Sequence, residues 1–160
     1  QTAQEGVVLV EMYDALGAHD PSSRIANVSA RARVSGGDGV LIAGLVVAGN
    51  TTCRLLARVV GPTLSTLGVT GTLADPTLEL YAAGSSTPIA TNDDWHLSYW
   101  AGEVREAAAA VQAFALGANA ADAALLVHLP PGNYTINFFV RSTYSPATNV
   151  AVVQLPFTVR

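Results

Sequence analysis

Short runs of apolar, mostly β-branched residues recur along the whole chain, each closed by Gly, Pro, Asn or Asp. That punctuation predicts an all-β fold, a sandwich or barrel, and not a helical bundle. Strands are expected at 6–13, 24–34, 39–48, 53–60, 77–82, 87–91, 123–129, 133–141 and 148–159. Within 134–140, Tyr134, Ile136, Phe138 and Val140 share one face by two-residue alternation and are expected in the core, with Thr135, Asn137 and Phe139 opposite. The run Leu41 to Val47 is apolar on both faces, which predicts a central strand covered on two sides. Gly36-Gly37-Asp38-Gly39 and Pro130-Pro131-Gly132-Asn133 carry the chemistry of tight, hairpin-like turns. One segment departs from the pattern: Val104, Ala107, Ala108, Val111 and Phe114 repeat at helical spacing, so a single short helix is expected over 103–114, on or beside the sandwich.

The two ends of the chain carry nearly the same strand. Gly6-Val7-Val8-Leu9-Val10-Glu11-Met12 matches Asn149-Val150-Ala151-Val152-Val153-Gln154-Leu155 position for position. Each copy sets one apolar row on one face, Val8, Val10 and Met12 in the first and Ala151, Val153 and Leu155 in the second. After the second copy, Pro156 and Phe157 stand where the first continues with Tyr13 and Asp14. The N-terminal copy has three physical options: to pair within its own sheet, to pack loosely, or to complete the sheet of a neighbouring subunit. In the third, an extended segment adds main-chain hydrogen bonds at a sheet edge while its alternate side chains fill pockets. Repeated head to tail, such a contact does not close and builds a filament.

Composition narrows the partners. Half of the 160 residues are apolar and only 12% are charged, against a usual charged share of about 25%. Such a surface suits a cell exterior or burial against copies of the same chain. Eight Arg, no Lys and a net charge of −4 leave no basic stretch able to track nucleic acid or an anionic membrane. The longest uncharged stretches are broken by Pro130-Pro131-Gly132, Pro146 and Pro156, so no membrane span is expected. The opening Gln1-Thr2-Ala3, without an initiator Met, fits a secreted product after signal-peptide removal. Cys53 is the single cysteine, which rules out an intrachain disulfide.

The strings GVVLVEMYD at 6–14, SRIANVSARARV at 23–34, GDGVLIAGLVVAG at 37–49, RVVGPTLSTLGVTGTLADPTLELY at 58–81, IATNDDW at 89–95 and AFALGANAADAALLVHLPPGNYTI at 113–136 follow one another along nearly the whole chain. In that order they resemble an uncharacterised β-rich repeat domain of large secreted bacterial proteins. In tandem arrays of that kind, a GVALVEVYD-type strand closes one repeat and leads into the next. The resemblance implies no enzymatic activity. The stretch from Pro76 to Asp94 is also similar to sugar- or collagen-binding jelly-roll modules of secreted hydrolases, whose acidic loops can hold calcium.

Chemistry is sparse. Asp75, Asn92, Asp93 and Asp94 are hard oxygen ligands, but no D-x-D-x-D-G series frames them, and turn capping is the competing role. His19, His96 and His128 are scattered without metal-ligand spacing, so neither metal nor cofactor is expected. Gly61-Pro62-Thr63-Leu64-Ser65 lacks the Lys of a phosphate loop, and no G-x-S-x-G elbow occurs; both observations speak against an enzyme. Arg54 and Arg58 are expected in a polar stripe, with Glu79 a candidate partner. Trp95, Tyr99 and Trp100 cluster after the acidic turn, where exposed rings would stack on sugars and at least one ring would be core.

The expectation is therefore a β-sandwich of eight or nine strands, jelly-roll or Ig-like, over 24–160. Residues 15–23 would be its linker and 1–14 a donor or extra strand. The expected function is that of an extracellular structural subunit that self-assembles with copies of itself by donating Val7, Val8, Leu9, Val10, Met12 and Tyr13 to a neighbour. The alternative is an adhesion module that contacts glycans or surfaces through Trp95, Tyr99 and Trp100.

Overall fold

The computed structural model describes residues 5–14, 27–35, 39–140 and 152–159. The described strands are β1 (Glu5–Asp14), β2 (Asn27–Ser35), β3 (Leu41–Val47), β4 (Cys53–Val60), β5 (Pro76–Ala82), β6 (Ala90–Asn92), β7 (Ala123–Leu129), β8 (Gly132–Val140) and β9 (Val152–Val159). Helices α1 (Pro62–Thr66) and α2 (Ala101–Ala110) flank a single 3-10 turn at Trp95–Leu97. The first sheet has the order β2-β1-β4-β7 and the second β6-β5-β8-β3-β9. Neighbours run antiparallel, except that β9 runs parallel to β3 at the edge of the second sheet. The all-β sandwich is thus the observed fold.

Alternation builds the core between the sheets. Val8, Val10, Met12, Leu55, Ala57 and Val59 face inward from the first sheet and meet Ala43, Leu45, Leu78, Leu80, Tyr134 and Ile136 from the second, all buried. Each fully buried Leu or Ile contributes roughly 2–3 kcal/mol by leaving water. A second, smaller core lies on the outer face of the first sheet, where α2 covers Tyr13, Leu56, Trp95 and Ala124 with Val104, Ala107 and Ala108. Strand β4 is therefore covered on both faces and is buried at seven of its eight positions.

Several expectations change. The helix covers 101–110, not 103–114: Gln112 turns to a positive φ of 57°, and this breaks the helical repeat before Phe114. The Gly61 to Ser65 segment caps and opens α1, with Pro62 at its start. The Pro130-Pro131 joint makes no hairpin, because β7 and β8 belong to different sheets; Tyr134 Oη donates to Pro130 O at 2.8 Å across the crossing. Strand β3 is covered on one face only: Ala43, Leu45 and Val47 are buried while Val46 is 42% exposed. Of the four residues expected in the core of β8, Tyr134 and Ile136 are buried there. The Phe138 and Val140 side chains lie outside the described residues, as do the turn at 36–38 and the connection at 15–26.

Candidate functional site

The N-terminal strand is neither loose nor peripheral. β1 occupies an interior position, laddered to β2 from Glu5↔Ser35 to Tyr13↔Asn27 on one side and to β4 from Leu9↔Val60 to Asp14↔Leu55 on the other. Ahead of β4, the 71–73 segment takes over: Val7 N donates to Gly71 O at 2.7 Å, and Leu73 N donates to Val7 O at 3.0 Å. The approach is so close at Gly6 that a Cβ there would overlap the backbone of Leu73 and lie 2.8 Å from the Thr72 carbonyl carbon, so only glycine fits. Val8, Val10 and Met12 point into the sandwich core, as expected for anchors of a strand that fills pockets. Val7 and Leu9, on the opposite face, are half-buried.

Glu11 and Tyr13 share that opposite face, under α2, and the register sets Glu11 directly across from Arg58 of β4. Arg58 is fully buried, and its guanidinium lies 3.2 Å from Glu11 Oε2. Tyr13 Oη donates to Glu11 Oε1 at 2.8 Å, and Arg58 donates to Phe114 O at 2.9 Å with its guanidinium 4.6 Å from the centre of the Phe114 ring. Burial, then the hydrogen bond and charge of Glu11, push the Tyr13 phenol far above its usual value. Burial lowers Arg58, and the charges of Glu11, Tyr13 and Asp122 pull it back. The contact between Arg58 and Glu11 is an ion pair without a well-aligned hydrogen bond, and Arg58 Nε has no hydrogen-bond partner. A buried pair of this kind adds little net stability but penalises any partner that removes one charge.

The sequence missed this cluster. It paired Arg58 with Glu79, but Glu79 lies in the second sheet, where it accepts a hydrogen bond from the Tyr81 hydroxyl and, after burial, helps push that phenol up to about 12. Residues 11 and 58 meet only because β1 inserts beside β4. Arg54, the other half of the expected stripe, is partly exposed opposite the exposed His128.

The aromatic cluster separates into two roles. Trp95 is buried, donates Nε1–H to Gly117 O at 3.2 Å and has the Arg105 guanidinium 5.6 Å from its ring, so its expected role as a glycan contact is corrected to core packing. Tyr99 is 90% exposed and Trp100 54%; their rings meet edge to face with centroids 4.9 Å apart, beside Leu97, which is also exposed. Three large apolar side chains within four residues form a surface shelf.

The acidic turn serves packing. Asn92 Oδ1 accepts from Ala124 N at 2.8 Å and its amide donates to Asp94 O at 3.3 Å, which ties β6 to β7. Among the described residues no group of three or more His, Cys, Asp or Glu side chains converges to hold a metal. A cavity of about 140 Å³ lies under α2, walled by Trp95, Val104, Ala108 and Leu116 with Arg58 at one side. No helix among the described residues is long and apolar enough to cross a membrane.

Fold and site together define a class, the all-β sandwich whose first described strand is interior to its sheet and whose surface carries an aromatic pair. Comparison with models of protein families, with curated proteins and with solved structures finds no match.

Proposed function

We propose that this chain is an extracellular structural subunit that assembles with copies of itself by exchanging its N-terminal strand. The observation that carries this reading is the interior place of β1, the first described strand, whose ladders and core anchors fill a complete slot. Every one of those contacts can be made equally by the β1 of a neighbouring copy, since strand exchange replaces an intramolecular contact by an identical intermolecular one. Effective concentration and the connection at 15–26 decide between the two. The low charge of the surface and the resemblance to a repeat domain of secreted proteins support the same reading.

Removing residues 1–14 tests it. The loss of Val8, Val10 and Met12 from the core forfeits roughly 5–9 kcal/mol, which is comparable to the whole stability of a typical domain. Residues 15–160 alone are therefore expected to be largely unfolded by circular dichroism, and to regain β structure when a 1–14 peptide is added. The intact chain is expected to show concentration-dependent oligomers in size exclusion and filaments in negative stain. An intact chain that stays monomeric at every concentration, or polymers that persist after the deletion, would sink the exchange reading.

The exposed shelf favours a second reading, adhesion to glycans through Tyr99 and Trp100. Stacking on an aromatic ring is worth about 1 kcal/mol or more per contact. Trp100→Ala and Tyr99→Ala are each expected to reduce binding on a glycan array at least severalfold without shifting the melting temperature. A melting temperature that falls with either variant would instead assign the shelf to packing.

A further inference from the structure

The chain carries a near-duplicate of β1, and the slot that holds β1 is chemically hostile to that duplicate at three positions. We propose that Gly6, Glu11 and Tyr13 form a selection code, by which the slot between β2 and β4 accepts the N-terminal strand and rejects the C-terminal copy at 149–156. Selection rests on the exchange reading only where the strand comes from a neighbouring chain; within one chain it acts in the same way.

Position for position, Asn149 falls at Gly6, Gln154 at Glu11 and Pro156 at Tyr13, while Val150 and Val153 repeat Val7 and Val10. Any side chain at position 6 overlaps the Leu73 backbone, and that backbone cannot retreat without losing the hydrogen bonds that Val7 makes to Gly71 and Leu73. A Gln at position 11 removes the counter-charge from a fully buried Arg58. A Pro at position 13 has no N–H to give, in a strand paired on both sides at that residue with Asn27 and Leu56. Of the remaining differences, Leu9 to Val and Met12 to Leu are changes of apolar volume that a core partly absorbs, whereas Val8 to Ala leaves a fully buried position underfilled.

The place taken by the C-terminal copy agrees with its chemistry. β9 lies at an edge beside β3, and its register slips between Gly44↔Gln154 and Val46↔Thr158, so that Pro156 falls in the irregular stretch. An edge strand with a bulge is where a sheet tolerates proline. The slot is thereby kept from capture by the chain's own tail, and subunits joined by exchange grow through N-terminal strands alone.

Hydrogen exchange by mass spectrometry on full-length chains tests the code. A chain with Leu9→Val and Met12→Leu is expected to keep residues 6–13 protected. A chain with Gly6→Asn, Glu11→Gln and Tyr13→Pro is expected to lose that protection on the order of a hundredfold. If the second chain fails to fold, the single variants decide: Glu11→Gln must lower the melting temperature more than Met12→Leu does. Equal protection in the two chains, or a smaller drop for Glu11→Gln than for Met12→Leu, overturns the code. A labelled peptide spanning 147–158, present during refolding of the intact chain, is expected to wash off, whereas its Asn149→Gly, Gln154→Glu, Pro156→Tyr version is retained at least tenfold better. Where a 3–14 peptide is retained, equal retention of the two overturns the code as well. If a 3–14 peptide is not retained either, exchange between chains fails while the exchange-protection result still decides selection.

Discussion

Arg58→Ala is expected to lower the free energy of unfolding by about 3–5 kcal/mol. The substitution leaves Glu11 buried with no cation, removes the bond to Phe114 O and vacates the space under the Phe114 ring. Against a typical total of about 5–15 kcal/mol, that loss brings a domain near its threshold. Equilibrium denaturation followed by the fluorescence of the buried Trp95 would measure it. The double substitution Glu11→Leu, Arg58→Met removes both charges together and is expected to recover most of the loss, because a buried pair owes its effect mainly to the penalty of separating it. A loss below about 1 kcal/mol for Arg58→Ala would show that water reaches the site and that the pair is screened.

Asp122→Ala is the second large effect, expected at about 2–4 kcal/mol because buried donors are left without acceptors. The Asp122 carboxylate accepts from Gly61 N at 2.8 Å and Thr63 N at 3.2 Å, and also from the Thr63 hydroxyl. Gly117 N donates in turn to Thr63 Oγ1 at 2.8 Å, and Trp95 N donates to Asp122 O at 2.9 Å. The buried carboxylate therefore fixes the start of α1 and, through Thr63 Oγ1, the loop at Gly117, while the main-chain carbonyl of Asp122 holds the 3-10 turn and is kept in the Ala variant. Asp122→Asn keeps an acceptor for the two main-chain donors, so its loss is expected to be about half as large; equal losses for the two variants would assign the effect to charge and not to hydrogen bonding.

Local pattern carried most of the fold. Two-residue alternation sets Val8, Val10 and Met12 on one face whatever lies beyond them, and helical spacing marks the segment around Val104 to Val111, because these periods are properties of the backbone itself. The helix end was misplaced by four residues, since Val111 and Phe114 continue the apolar period even though Gln112 leaves helical φ. Nothing local told Trp95 from Trp100: both are large aromatics near a turn, and only the position of α2 and the 117 carbonyl decides which one is covered.

Sequence by itself determined the class of fold, the strands and their faces, the absence of an internal disulfide and the duplication of the terminal strand. Tertiary structure alone decided that β1 lies between β2 and β4, that Glu11 meets Arg58 across 47 positions of sequence, and that Gly6 has no room for a side chain. The reason is physical: alternation fixes the direction of a side chain relative to its own strand, whereas its neighbours depend on sheet order and register, which form only when distant segments close on one another.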